Sequence, residues 1–308
     1  MLASLNAARR PERWNVDILI AANNCSDSTH GLLGSYQVEC ETEGWHALSW
    51  FTESTPGKSH ALNSAMPRID ADLAAFVDDD HRVHGDYLAE ICAAAEAHPE
   101  ADIFCGRILP DWDGREPAWM HDDGPYRIYP PPVPRFDQGE AARRLTPEMT
   151  VPGGGNLFMR TSWLAGVGLF STEMGPKGHD LGGSEDADWV LRAFGLGAKL
   201  HYVPTVLQYH HVDNARLTLP YLMRKAYKRT ASSVGLHKSI KGQGVPRYLY
   251  RKLAGYLLSA LTSLHLARRR FYLVRTAAAL GEVTGHRHIK ARGSNTSTTD
   301  TQAADRHG

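Results

Sequence analysis

The chain has 308 residues, 42% of them hydrophobic and 22% charged, which excludes a fibrous or wholly disordered protein and leaves room for one large core or two modest ones. Its 34 basic and 34 acidic residues cancel overall but are segregated: residues 1–215 hold 16 Lys and Arg against 31 Asp and Glu, whereas residues 216–292 hold 17 against the single acid Glu282. An acidic body able to hold cations is thus followed by a basic segment suited to phosphates or an anionic membrane face, and three regions are expected: 1–215, a basic amphipathic extension 216–290 and a disordered tail 291–308.

In chain order, residues 16–22 read as a strand that ends in the turn-rich run Asn23-Asn24-Cys25-Ser26-Asp27-Ser28-Thr29. A second strand at 47–51 is followed by Pro56-Gly57 and a helix over 61–66. A third, at 73–77, runs directly into Asp78-Asp79-Asp80. Residues 85–98 form a helix with Leu88, Ile91, Cys92 and Ala95 on one face, and 102–108 a further strand. Segment 110–134 is rich in Pro, Trp and Asp, has no clean period, and reads as a long functional excursion. Order returns at Gly153-Gly154-Gly155-Asn156, with a strand at 157–160, a short helix near Trp163, a glycine-rich loop at 175–183 and a helix opening at Ser184. Strands at 199–203 and 206–210 close this part, and helices over 217–234, 247–267 and 269–280 follow. Strands alternating with helices predict an α/β fold whose sheet is mostly parallel and flanked by helices. The longest apolar stretch, 253–266, is interrupted by Gly255, Ser259, Thr262, Ser263 and His265 and falls short of the ~20 residues that span a bilayer. The cysteines Cys25, Cys40, Cys92 and Cys105 have no zinc-like or redox-like spacing, which fits a reducing cytoplasm.

Three consecutive carboxylates resist joint ionisation unless a cation offsets them, and a hard divalent ion does so. Their position at the carboxyl end of an apolar strand is where open α/β sheets place ligands. The alternative is a solvated acidic turn. Glu185, Asp186 and Asp188 form a second acidic group in a first helical turn, where they are either ordinary helix chemistry or the source of a base that is not itself a metal ligand. Of His210 and His211, strand alternation lets only one face the crevice, as a structural residue or a further metal ligand. Gly57-Lys58-Ser59 lacks the glycine a P-loop needs five positions earlier, where Thr52 stands; Lys58 is left as a point charge for a phosphate or as a surface lysine.

Taken in order, the strand and turn around Asp17-Ile18-Leu19-Ile20 and Asn23 to Thr29, then Pro56-Gly57-Lys58, Ala61-Leu62-Asn63, Phe76-Val77-Asp78-Asp79-Asp80, Gly155-Asn156, Gly183-Ser184-Glu185-Asp186 and Tyr209-His210 resemble the inverting glycosyltransferases of family 2, which have the GT-A fold. The likeness covers residues 2–235. It implies a nucleotide-diphosphate sugar donor and Mg²⁺ or Mn²⁺. On the donor side it implies Asn24, Asp27 (at the base), Lys58, Asn63, Asp78 and Asp79, and at the metal Asp80 and His210. Asp186 is implied as catalytic base with Glu185 beside it, and Gly155 and Asn156 as the acceptor side.

Two departures stand out. Family members begin with an apolar strand and a turn that helps hold the nucleotide, whereas Met1-Leu2-Ala3-Ser4-Leu5 resembles the helix after that strand, so a first strand is expected to be missing. No Gln-x-x-Arg-Trp follows the base, which favours transfer of a single sugar over processive synthesis. The basic helices suit a lipid-linked or carbohydrate acceptor at the inner membrane face; their aromatic residues do not interleave as a nucleic-acid platform. The competing readings are an inactive nucleotide- or membrane-binding remnant and a nucleotidyltransferase on a related fold.

Overall fold

The computed structural model describes residues 1–129, 132–173, 185–234 and 244–304. The glycine-rich loop expected at 175–183, and Ser184 after it, lie outside the described residues. The elements are α1 (Leu2–Ala7), β1 (Asp17–Asn23), α2 (Thr29–Glu43), β2 (Ala47–Glu53), α3 (Lys58–Ala65), β3 (Leu73–Ala75), β4 (His81–Val83), α4 (Tyr87–Ala97), β5 (Ile103–Asp111), β6 (Arg143–Leu145), β7 (Leu157–Arg160), α5 (Thr161–Val167), α6 (Glu185–Gly195), β8 (Leu200–His211), α7 (Leu219–Ser233), α8 (Arg247–Thr262) and α9 (Leu266–Ala304). They divide into two compact units, Met1–Asp111 with Pro134–His211, and Trp112–Val133 with Val212–Gly308.

The first unit has the expected α/β architecture, a central sheet flanked by helices. Its pairing, however, is mixed where a mostly parallel sheet was expected. β1 and β2 form a parallel pair of their own, and a larger sheet has the order β3-β7-β5-β8-β4 with β6 added on β8. Within it only β5 and β8 run parallel; the other pairs are antiparallel. Buried strands carry the same apolar pattern in either direction, and three-residue strands such as β4 and β6 are too short to show a period. Among the described residues no strand bridges β1 and β3, and α1 precedes β1.

The two strands expected at 199–203 and 206–210 are one, β8. Pro204 has no N–H to give the ladder, and opposite it the register shifts, so that Tyr202 faces Cys105 while Leu207 faces Arg107. Gly106 sits at the shift because a Cβ there would collide with the Val206 carbonyl and the Asn156 amide.

Alternation along the strands builds two apolar layers. Ile103, Cys105, Leu157 and Met159 pack with Leu164, Trp189 and Val190 of α5 and α6, whereas Phe104 and Phe158 pack on the other face with Leu5, Tyr87 and Ile91 of α1 and α4. The Phe104 and Phe158 rings stack at 4.8 Å, each fully buried, which stabilises the fold by about 1.5–3 kcal/mol per side chain. The resulting rigid sheet holds the residues at its β3, β4 and β8 ends.

In the second unit α9 lies close against α7: a Cβ at Gly281 would meet the Tyr227 carbonyl, and the Thr230 hydroxyl donates to Ala278 O at 2.7 Å. Lys252 of α8 pairs with Glu282 of α9 at 2.8 Å. The excursion 112–133 belongs to this unit, where Arg270 pairs with Asp122 at 2.9 Å and lies 4.5 Å over the Trp119 ring. The unit resumes at Val212, and α9 extends to Ala304. Among the described residues no helix is long and apolar enough to cross a membrane.

Candidate active site

β3 ends at Ala75, and the chain then turns through Asp79 and Asp80 into β4, with His81 N donating to Asp78 O at 3.0 Å. The strand buries Ala74 and half-buries Leu73, and the aspartates follow beyond its end: Asp78 half-buried, Asp79 and Asp80 exposed. α3 starts opposite them. Its preceding residue Gly57 has φ 132°, a backbone that favours glycine, and its N–H donates to Asn23 Oδ1 at 2.8 Å. Asn23 also donates to Thr55 O at 2.7 Å, so one side chain at the end of β1 shapes the loop that presents Lys58.

Lys58 Nζ lies 2.8 Å from Asp78 Oδ1 and 3.6 Å from Asp186 Oδ2, bridging a carboxylate just after the third strand and one on the sixth helix. Burial alone would lower the ammonium's pKa, but Asp78 and Asp186 together outweigh it and raise it, so Lys58 stays charged. Asp186 Oδ1 is buried and, among the described residues, has no hydrogen-bond partner. Glu185 beside it is buried. Gly154 and Gly155 make this convergence possible: a Cβ on Gly154 would overlap the Asp186 carboxylate, and one on Gly155 would lie 2.8 Å from both Asp78 Oδ2 and His81 Cε1.

The histidines complete the site. β4 and β8 pair with His81 opposite His210, their rings meeting edge to face at 4.8 Å. His210 Nε2 is 3.3 Å from Asp80 Oδ2, and His81 Nε2 is 3.8 Å from Asp80 Oδ1. His210, not His211, is therefore the residue that faces the aspartates. Behind them lies a buried polar network: Gln208 Nε2 donates to the Phe76 carbonyl at 3.2 Å and to Asn156 Oδ1 at 3.1 Å, and it also meets the Tyr87 hydroxyl at 2.7 Å. Its Oε1 is left to accept from His81 Nδ1. That arrangement puts the His81 proton on Nδ1 and turns the lone pair of Nε2 toward Asp80. One ligand atom from each of Asp80, His81 and His210 lies within 4.8 Å of the other two, a carboxylate and two imidazoles able to hold a divalent metal.

Several residues expected at the site are engaged elsewhere. The Asn63 amide donates to Phe170 O at 2.9 Å and accepts from Phe170 N at 2.8 Å, tying α3 to the chain after α5. Asn156 is buried and donates to the carbonyls of Arg107 and Val206, both at 3.0 Å, so its side chain braces β5 and β8. Asp27 Oδ1 accepts from Thr29 N at 3.0 Å and from the Thr29 hydroxyl, which hold its carboxyl below the usual range and start α2. Asn24 takes φ 50°, a left-handed turn residue at the end of β1. Conversely His81, Gln208, Tyr87 and Asn23 were not anticipated. A lone glutamine on the inward register of an apolar strand was the available signal, because such an amide requires buried partners.

A nucleotide-sugar transferase is the class that this fold and site define: a strand-end acidic cluster, a lysine bridging it to a helix-borne carboxylate, and a metal-capable triad on the sheet's edge. The family model "Glycosyl transferase family 2" matches residues 1–168, more than half of the chain, and the protein belongs to that family. It is an inverting glycosyltransferase that takes its sugar from a nucleoside-diphosphate donor. The chain is 22% identical over 291 residues to the succinoglycan biosynthesis protein ExoM of Rhizobium meliloti, covering 92% of this chain and 87% of that one. Among solved structures it is similar to S. aureus TarS 1-349 in complex with UDP, with a TM-score of 0.52, 15% identity, and 95% and 87% of the two chains covered. TarS 1-349 in complex with UDP-GlcNAc gives 0.50, 14% identity, and 96% and 87%.

Proposed function

We propose that this enzyme moves one sugar from a nucleoside-diphosphate donor to a hydroxyl of a growing polysaccharide or glycolipid, in a metal-dependent single displacement. The observation that carries this reading is the Asp186 carboxylate, whose buried Oδ1 has no partner while Oδ2 lies 3.6 Å from Lys58. An unpartnered buried carboxylate oxygen is disfavoured unless a ligand donor meets it, and an acceptor hydroxyl is such a donor. Asp186 accepts the hydroxyl proton as the oxygen attacks the anomeric carbon, and the leaving diphosphate departs on the side of Asp78 and Asp80. Lys58, held protonated by its two carboxylates, supports the ionised base and offers a cation to the phosphates. A divalent metal held by Asp80, His81 and His210 would neutralise charge that builds on the leaving group. Two imidazoles in that donor set favour Mn²⁺ over Mg²⁺.

The likeness to ExoM supports a polysaccharide acceptor, and the nucleotides bound by TarS make uridine diphosphate sugars the first donors to test. Thermal unfolding should be screened with UDP-, GDP- and dTDP-sugars with and without Mn²⁺, and turnover followed in the unmodified chain and in Asp186→Asn. Metal-dependent stabilisation by one donor, with turnover lost in the variant, is expected. Stabilisation by none of them would overturn the reading. A second reading, nucleotide binding without turnover, is favoured by β1 and β2 forming a sheet of their own; sugar transfer to any acceptor refutes it.

The second unit supports peripheral attachment at the inner membrane face. Tyr250, Leu257, Leu258 and Leu261 lie along one exposed stripe of α8, Leu264 and Leu266 are exposed just beyond it, and Arg268 and Arg269 follow. Co-sedimentation with anionic but not neutral vesicles, weakened by Leu261→Asp with Leu264→Asp, is the expected result.

A further inference from the structure

At the opposite end of β8 from His210, a second group of side chains converges. His98 ends α4, Glu100 lies in the turn into β5, and His201 is the second residue of β8. Nine residue steps of strand separate His201 from His210, roughly 25–30 Å, so this group is independent of the transfer site. One ligand atom of each residue lies within 4.8 Å of the other two. A single oxygen, Glu100 Oε1, is 3.3 Å from His98 Nδ1 and 3.6 Å from His201 Nε2, and the two imidazole rings stack with centroids 4.9 Å apart.

Two features point beyond an ordinary hydrogen-bonded cluster. The first is dimensional: a tetrahedral centre with bonds of about 2.1 Å to its ligands has ligand–ligand edges of about 3.4 Å, and the two distances from Glu100 match that edge. The second is the state of His201. Its side chain is 14% exposed, its Nδ1 is buried without a partner, and its Nε2 lies beyond hydrogen-bond range of Glu100. With Nε2 outside hydrogen-bond range of Glu100 and within 4.8 Å of the other two ligand atoms, the His201 ring presents a nitrogen that a metal could bind. Asp102 and Arg144 are the other charges near His201, of opposite sign. Glu100 and His98 are partly exposed and leave a fourth position open to water.

We infer that His98, Glu100 and His201 form a second metal site, for a first-row transition dication of the Zn²⁺ type, which clamps the turn after α4 to the start of β8. Two nitrogen donors and one carboxylate select such an ion over Mg²⁺. The inference does not rest on the transferase reading. Its test is Zn²⁺ titration by calorimetry on the full chain in millimolar Mg²⁺, with the unmodified protein, His98→Gln, Glu100→Gln and the transfer-site variant His210→Gln compared. Zn²⁺ binding that persists in His210→Gln but weakens at least about 10-fold in His98→Gln and in Glu100→Gln is expected. Because both substituted side chains are partly exposed, thermal unfolding without metal serves to show that the variants fold. Equal Zn²⁺ affinity in the unmodified chain and His98→Gln, or loss of all Zn²⁺ binding in His210→Gln, would overturn the assignment, and donor turnover retained in His98→Gln keeps the two sites' outcomes distinct.

Discussion

Replacing Gln208 with leucine tests whether the network behind the site orients the metal ligands. The side chain is fully buried and its amide serves four groups: His81 Nδ1, the Phe76 carbonyl, the Tyr87 hydroxyl and Asn156 Oδ1. After substitution the Tyr87 hydroxyl still reaches Asn156 Oδ1 at 3.3 Å, so two of the four keep each other. His81 Nδ1 and the Phe76 carbonyl are left unpaired in the interior. At about 1–3 kcal/mol for each orphaned group, the variant should lose about 2–6 kcal/mol of stability. It should also lose metal affinity, because nothing then fixes the His81 proton on Nδ1; removing an outer-sphere partner of a metal-bound histidine typically weakens binding about 10–100-fold. Mn²⁺ titration of sugar transfer, alongside urea unfolding, separates the two effects. Gln208→Glu restores an acceptor for His81 but removes the donor to Phe76 and Asn156, so it should recover Mn²⁺ affinity better than it recovers stability. A folded Gln208→Leu protein with unchanged Mn²⁺ dependence would refute the reasoning.

Gly154→Ala should lower kcat about 100-fold or more while thermal unfolding changes little, since the new Cβ overlaps the Asp186 carboxylate and not the core; steady-state kinetics on the purified variant decides. Asn63→Ala should lose about 1–3 kcal/mol of stability through both bonds to the Phe170 backbone, yet leave the donor KM unchanged, and a raised KM with intact stability would return Asn63 to the donor side. Asp137 is half-enclosed by Arg107 and Arg135; burial opposes ionisation, but those partners and the Gly139 N–H bring its pKa down to about 2 from 3.8. A carboxyl depressed in the folded state contributes stability that is present above about pH 4 and lost as pH falls toward 2, here about 1–2 kcal/mol after solvent screening, and Asp137→Asn should flatten that part of a stability–pH curve.

What the sequence made legible was whatever a short segment decides by itself. An apolar run ending in three acids places those acids just beyond a strand's end, and the turn after β3 does so with Asp78 half-buried and Asp79 and Asp80 exposed. An acidic first turn places Asp186 beside a lysine at another helix start, because helix N-termini gather at the carboxyl ends of strands. Strand direction was not legible, since β7 and β8 have equally apolar residues whichever way they run. The roles of the amides were also hidden. Asn63, Asn156 and Gln208 are each polar side chains in or beside apolar elements, and nothing local says whether such an amide meets a ligand or a distant backbone. Asn63 reaches Phe170, Asn156 reaches Arg107 and Val206, and Gln208 reaches Phe76, all partners far away in sequence.

These long-range amides explain why the charged groups can be so close. Three carboxylates, Asp78, Asp80 and Asp186, and two histidines held within a few ångströms of one another or of Lys58 repel or compete for protons, and a loose scaffold would let them part. Here the pieces that carry them are cross-tied from behind: Gln208 links β8 to the end of β3, Asn156 links the glycine turn to β5 and β8, and Asn63 links α3 to the chain after α5. Lys58 offsets charge from the front, and a cation held by Asp80, His81 and His210 would offset more. The residues that do chemistry are readable because they are grouped by charge, but the amides that hold them are what make that grouping tolerable in a folded chain.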